Sequence, residues 1–181
     1  MLKIVTRKTL LLIAILVASM SSSLYADTHD QKNNATYLYL QFAKSATITS
    51  VDASKNTFLL TLKNVSPYVS YFSNRPKRVT GVLPVKTFLM AWQQPGKGSF
   101  GTMPPNASIA GVTIRNILSI KEITLVMELK NPRYNEKKET LVFDATIVDP
   151  LQQKIPTKKI ELHNVTVFFD DVSWCPGCCC G

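Results

Sequence analysis

Between residues 37 and 169 the chain is a succession of short runs in which apolar and polar residues alternate, each ended by a cluster of turn-forming residues. Period-two alternation sends successive side chains to opposite faces of an extended strand, so each run buries one face and needs neighbours to do it. The runs are 37–42 continued by 46–51, then 57–62, 68–72, 107–114, 122–129, 141–148 and 160–169. Residues 52–56, 64–67 and 131–135 are rich in Asn, Asp, Ser and Pro and read as turns. The first two runs, either side of 52–56, predict a hairpin. At Pro84 the period changes: Val85, Phe88, Leu89 and Trp92 recur at i, i+3, i+4 and i+7, with the proline in the first turn, which predicts one short helix ending near Gln93. Residues 94–106 hold three glycines and three prolines and predict no regular element. About seven short strands at turn-separated intervals, with one helix among them, predict a mainly β protein: an antiparallel β-sandwich, immunoglobulin-like or of a related architecture.

The first 26 residues follow a different rule. Lys3, Arg7 and Lys8 precede an uncharged run over 9–20, and Ser21, Ser22, Ser23, Leu24, Tyr25 and Ala26 lead to the first acid, Asp27. A charged start, an apolar middle and small residues at a cleavage site are the parts of a secretory signal peptide. A spanning helix needs about 20 mostly apolar residues, and the strongly apolar stretch 10–17 is too short for one. The sequence therefore predicts a signal peptide over 1–26, a disordered polar leader over 27–35, a β-sandwich domain over 36–172 and a cysteine-rich tail over 173–181. The exported chain is expected in a periplasmic or extracellular space. Of 21 basic residues three lie before the cleavage site, and all 12 acids lie after it, so the mature charge is 18 − 12 = +6. That excess favours anionic partners, and for an exported protein these are envelope surfaces or other proteins, with no nucleic acid expected.

Tyr71-Phe72-Ser73-Asn74-Arg75-Pro76-Lys77-Arg78, the step Pro104-Pro105-Asn106-Ala107 and the segment Leu129-Lys130-Asn131-Pro132-Arg133-Tyr134 resemble a family of small exported proteins of uncharacterised function. Its members carry a YFSxRPxR motif, a tryptophan-bearing helix and a PPNA loop. The resemblance spans residues 37–170 and implies an exported single domain; it implies no activity.

Arg75, Lys77 and Arg78 place three cations within four residues around the stiffening Pro76, a group suited to phosphate or carboxylate. The structural alternative is a solvated turn. No enzyme is expected: His29 falls in the leader, His163 sits alone within a strand run, and the adjacent Asp170 and Asp171 would point to opposite faces. No cofactor is expected either. All four cysteines, Cys175, Cys178, Cys179 and Cys180, lie in the last seven residues. A thioredoxin-type mechanism needs a helix starting at the first cysteine, and the chain stops three residues after Cys178. Disulfides formed after export, a soft metal ion held by thiolates, and lipidation are the remaining readings of the tail. Sequons start at Asn34, Asn64, Asn106 and Asn164. The functional expectation is a non-catalytic binding protein acting through the basic loop. Its rival is a thiol or metal protein acting through the tail.

Overall fold

The computed structural model describes residues 36–52, 56–73, 78–93, 99–116, 119–149 and 159–172. All of them belong to the second of two compact units into which the chain divides, Met1–Asn33 and Asn34–Gly181. The predicted signal peptide, leader and tail all lie outside the described residues. No described helix is long and apolar enough to cross a membrane.

Among the described residues the fold is mainly β and antiparallel with a single short helix, as the alternation requires. Its strands are β1 (Tyr37–Asp52), β2 (Thr57–Val65), β3 (Tyr68–Ser73), β4 (Val79–Pro84), β5 (Asn106–Asn116), β6 (Ser119–Asn135), β7 (Thr140–Ile147) and β8 (Ile160–Val172). Helix α1 (Val85–Leu89) continues into a 3-10 turn over Met90–Trp92. The strand order is β2-β7-β6-β5-β8-β1-β3-β4, and β2 pairs again with β1. That last pairing closes six strands into a ring, from which the β3–β4 hairpin projects. The single sheet is sandwich-like: along one edge of β1 its first part pairs with β3 and the rest with β2.

The handover from β2 to β3 breaks the ladder at Ser66-Pro67. Gln41, fully buried, repairs it: Nε2 donates to the carbonyl of Ser66 at 2.9 Å and to that of Phe42 at 3.1 Å. A buried carbonyl without a donor costs about 1–3 kcal/mol, which is why an amide stands at an otherwise apolar inward position. Its Oε1 accepts from no described donor.

Closure also needs the strands to bend, and asparagine supplies the bends. Leu-Lys-Asn-Val at 62–65, Leu-His-Asn-Val at 162–165 and Leu-Lys-Asn-Pro at 129–132 share one pattern. Their asparagines, Asn64, Asn164 and Asn131, have φ of 51°, 50° and 49°. Asparagine tolerates this left-handed region better than other side-chain-bearing residues. Asn131 is an extra residue against β7 and Asn164 against β5, while Asn64 and Asn164 both keep step with Lys44 of β1; Leu62 and Val65 nevertheless both face inward, as do Leu162 and Val165, although three residues apart in a strand otherwise means opposite faces. Registers place Asn64 and Asn164 on a level with Lys44, and there β1 changes its inward set from Tyr39, Gln41 and Ala43 to Ala46 and Ile48. Three adjacent strands thus bend along one line. Residues 131–135, read as a turn from the sequence, are a correction: β6 runs on to Asn135, with Asn131 a bulge between the pairs Lys130–Asp144 and Arg133–Val142. Strand β4 is a further difference, since Val79–Pro84 has no strict alternation to announce it.

The core is rich in rings. Phe88 of α1 lies 5.0 Å from Tyr39 and 5.0 Å from Phe169 between centroids, and Trp92 lies 4.5 Å from Phe100 and 5.7 Å from Phe143. Burying one such phenylalanine contributes about 1.5–3 kcal/mol, which fixes the helix across the inner face. Its N-terminus is tied to the β2–β3 break by Val85 N–H donating to the Pro67 carbonyl. Lys86 reaches the β6–β7 turn, where its Nζ meets Glu136 Oε2 at 2.7 Å.

Candidate functional site

The first and last strands and the two strands that flank the predicted basic loop end together at one end of the sheet. Tyr37 pairs with Val172, Leu38 with Phe72 and Ser73 with Val79, so the start of β1, the end of β8 and the mouth of the β3–β4 hairpin form one row of strand ends. With strands about 4.8 Å apart, Val172 and Val79 stand roughly 14 Å from one another. Arg78 directly precedes β4 and is exposed, and it makes no ion pair among the described residues. Arg75 and Lys77 lie outside the described residues, within the connection that Arg78 ends. Cys175, Cys178, Cys179 and Cys180 also lie outside them, in the segment that follows Val172. The structure therefore brings the roots of the two predicted sites together and describes one of their seven residues.

Three tyrosines underlie this end. Tyr71 stands 6.0 Å from Tyr37, edge-on, and 6.2 Å from Tyr39. Burial pushes the Tyr39 phenol well above its ordinary pKa, and the neighbouring Tyr37 and Tyr71 add to the shift, so it stays protonated. Tyr71 lies across Gly81 of β4: a Cβ on that glycine would come within 2.6 Å of the Tyr71 hydroxyl. On the opposite face Phe72 packs against Phe168 at 6.5 Å. The strand that leads into the basic loop is thus held on both faces by rings.

A pocket of about 360 Å³ opens beside the end of the helix, lined by Trp92, Gln93, Phe100, Gly101, Pro104, Lys130, Asn131 and Pro132. Much of its polar lining is already engaged. Trp92 Nε1 donates to the Leu129 carbonyl at 3.3 Å, Lys130 Nζ meets Glu128 Oε1 at 2.5 Å, and Asn131 Nδ2 donates to Asp144 Oδ2 at 2.8 Å. Asp144 also accepts from Arg133 Nη2 at 2.7 Å, and these bonds, that of Arg133 first and Asn131 second, hold its carboxyl below the usual carboxylate range. This cluster spans the Asn131 bulge and pins it. The sequence reading missed it; the repeated Leu-Lys-Asn pattern was the available signal.

His163 is exposed on the outer face, paired in register with Ser45 and Val112. Among the described residues no group of three or more His, Cys, Asp or Glu side chains is gathered that would hold a metal ion. Asp170 is exposed near the end of β8. Compared with known proteins, the chain matches no family model, no curated protein and no solved structure.

Proposed function

We propose that the protein is an exported, non-catalytic β domain that binds an anionic partner of the cell envelope through the basic loop Arg75, Lys77 and Arg78. The observation that carries this reading is Arg78: an exposed guanidinium at a strand end, with no acid engaging it among the described residues. Lys86, Lys130, Arg133 and Lys159 each meet a carboxylate within 2.7 Å. An ammonium already paired with Glu128 makes the Trp92 pocket a poorer anion site than the loop. The mature charge of +6 brings anionic surfaces toward the molecule, and the loop supplies the local donors.

The test is retention of the mature protein on vesicles containing anionic phospholipid and on an immobilised acidic polysaccharide, for the wild type and for Arg75→Ala/Arg78→Ala. The variant should lose most retention at 0.05 M salt, and the wild type should lose it on raising the salt to 0.5 M, where the screening length falls well below the ~10 Å of 0.1 M. Its Tm should stay within about 2 °C, because exposed substitutions of this kind change stability by about 0.5 kcal/mol or less. Undiminished retention of the variant would remove the loop from the function. A collapsed melt would make the arginines structural.

A further inference from the structure

Closure of the ring leaves β4 as the strand whose whole outer edge is unpaired among the described residues, since β3 is its only partner. Natural edges of this kind are guarded by charged side chains or inward-pointing charges, because an unpaired row of N–H and C=O groups accepts another strand. Val79-Thr80-Gly81-Val82-Leu83-Pro84 contains no charge at all. Val82 points outward at 64 % exposure. Pro84 removes one donor, but only at the last position of the strand. One row of the outer face behind this edge is uncharged as well: Val82, Ser70, Leu40, Phe168, Ser108 and Val126 cross six strands by register without an ionisable group.

We infer that the β4 edge is a self-association surface, on which β4 of a second copy pairs antiparallel about Gly81. Three features select this occupant and this direction. With Gly81 facing Gly81 of the partner, Thr80 lies opposite Val82 of the partner on the same face, so the outward residues of both strands stay outward and the sheet continues without a change of side. The backbone of each Gly81 is already roofed by its own Tyr71, so two tyrosines bracket the seam and cover the glycine pair that would otherwise expose main chain. Charge then fixes the direction. An antiparallel pair centred on Gly81 sets the two Arg78 residues six strand positions apart, about 20 Å, beyond the screening length at physiological salt. A parallel pair would set Arg78 about 4.8 Å from its copy, an opposition worth about 1 kcal/mol even in bulk water, with Lys77 and Arg75 next in each chain.

Stacking of the outer faces along this row is the competing geometry, and its area argues against it. Six strands across and about three rows deep amounts to roughly 24 by 14 Å, or about 700 Å² for both copies together. A stable interface buries about 1,200 Å² or more. Main-chain bonding along the edge is directional and needs less area, so the expected product is a weak, concentration-dependent dimer.

Sedimentation of the mature protein over a concentration series from 1 μM to 1 mM, with reductant present so that cysteine bridges do not contribute, reads the association directly. The wild type should pass from monomer to dimer within that range. Val82→Lys and Thr80→Lys, both at exposed positions, should each weaken dimerisation at least tenfold with unchanged far-UV circular dichroism and Tm. Phe42→Lys, on the outer face but away from the edge, should leave it unchanged. A wild type that stays monomeric to 1 mM overturns the inference, as does a dimer that survives both edge lysines. A dimer that Phe42→Lys abolishes would show that the faces stack instead.

Discussion

Replacing Asn164 by glycine, alanine and valine in turn measures what the left-handed bulges contribute. Asn164 has φ 50°, points away from the core, and lies between Leu162 and Val165, which are 0 % and 1 % exposed. The backbone cannot relax by sliding one position, because a one-residue slip would turn Leu162 and Ile160 out of the core and forfeit about 1.5–3 kcal/mol for each. The strain is therefore felt in full. A side chain in the left-handed region costs about 1–2 kcal/mol, asparagine being partly exempt, so alanine should lose about 1 kcal/mol and valine, stiffened at its branched Cβ, about 2. Glycine enters that region freely and gives back some of the gain through its more disordered unfolded chain, for a net change within about 0.5 kcal/mol. For a domain of this size 1 kcal/mol moves Tm by about 2–4 °C, so valine should melt about 4–8 °C below the wild type, with alanine midway and glycine unchanged. Asn131 offers an internal control. Its side chain donates to Asp144, so glycine there should cost about 0.5–1 kcal/mol more than at Asn164. The assay is calorimetry on protein made without glycosylation, since all three substitutions destroy the Asn164 sequon. A valine variant as stable as the wild type, or more stable than the glycine one, would refute the assignment of a strained bulge.

Gly81→Ala brings a methyl group within 2.6 Å of the Tyr71 hydroxyl, a flexible obstacle, so the ring should swing off Tyr37 and Tyr39 at a cost of about 1 kcal/mol. Near-UV circular dichroism should register the move, and the cost should vanish when alanine also replaces Tyr71; persistence of the cost would place the obstacle elsewhere. Asp144, whose pKa is lowered in the folded chain, contributes stability that is present above its unfolded pKa and lost as pH falls through the lower folded one. In a pH series of melts from 5 down to 2, Asp144→Asn should therefore flatten part of the acid-side fall, and an unchanged slope would show that the exposed cluster contributes nothing to folding. Truncation after Ser173 removes every thiol and leaves β8 complete to Val172, so the cooperative melt should persist in full. Unfolding of the truncated chain would mean that Trp174 or a cysteine is part of the core.

Local information carried much of this fold. Alternation located strands β1, β5, β6, β7 and β8, because burying one face of a strand dictates every second residue, while turn signals with the apolar run 57–62 and the bulky run 68–72 located β2 and β3. The 3.6-residue spacing of Val85, Phe88, Leu89 and Trp92 located the helix, whose Val85, Phe88 and Leu89 are all buried. The turn at 52–56 located the β1–β2 hairpin. Asn131 misled the reading, since an asparagine followed by proline favours a turn, and only the pairing of β6 with β7 on both sides of it keeps the strand intact. Strand β4 left no signature, because a hairpin arm packed under Tyr71 needs a glycine where alternation would put a side chain. Gln41 was illegible for a similar reason: its partner is the Ser66 carbonyl, 25 positions along, freed only because β2 gives way to β3. Of the proposed site, residue type and spacing picked out Arg75, Lys77, Arg78 and the cysteines, but not that their roots are neighbours. Periodicity states which face of a strand is buried. Which strands meet, where the ring closes and which edge stays open depend on the packing of residues far apart in the chain, and those the tertiary structure alone decides.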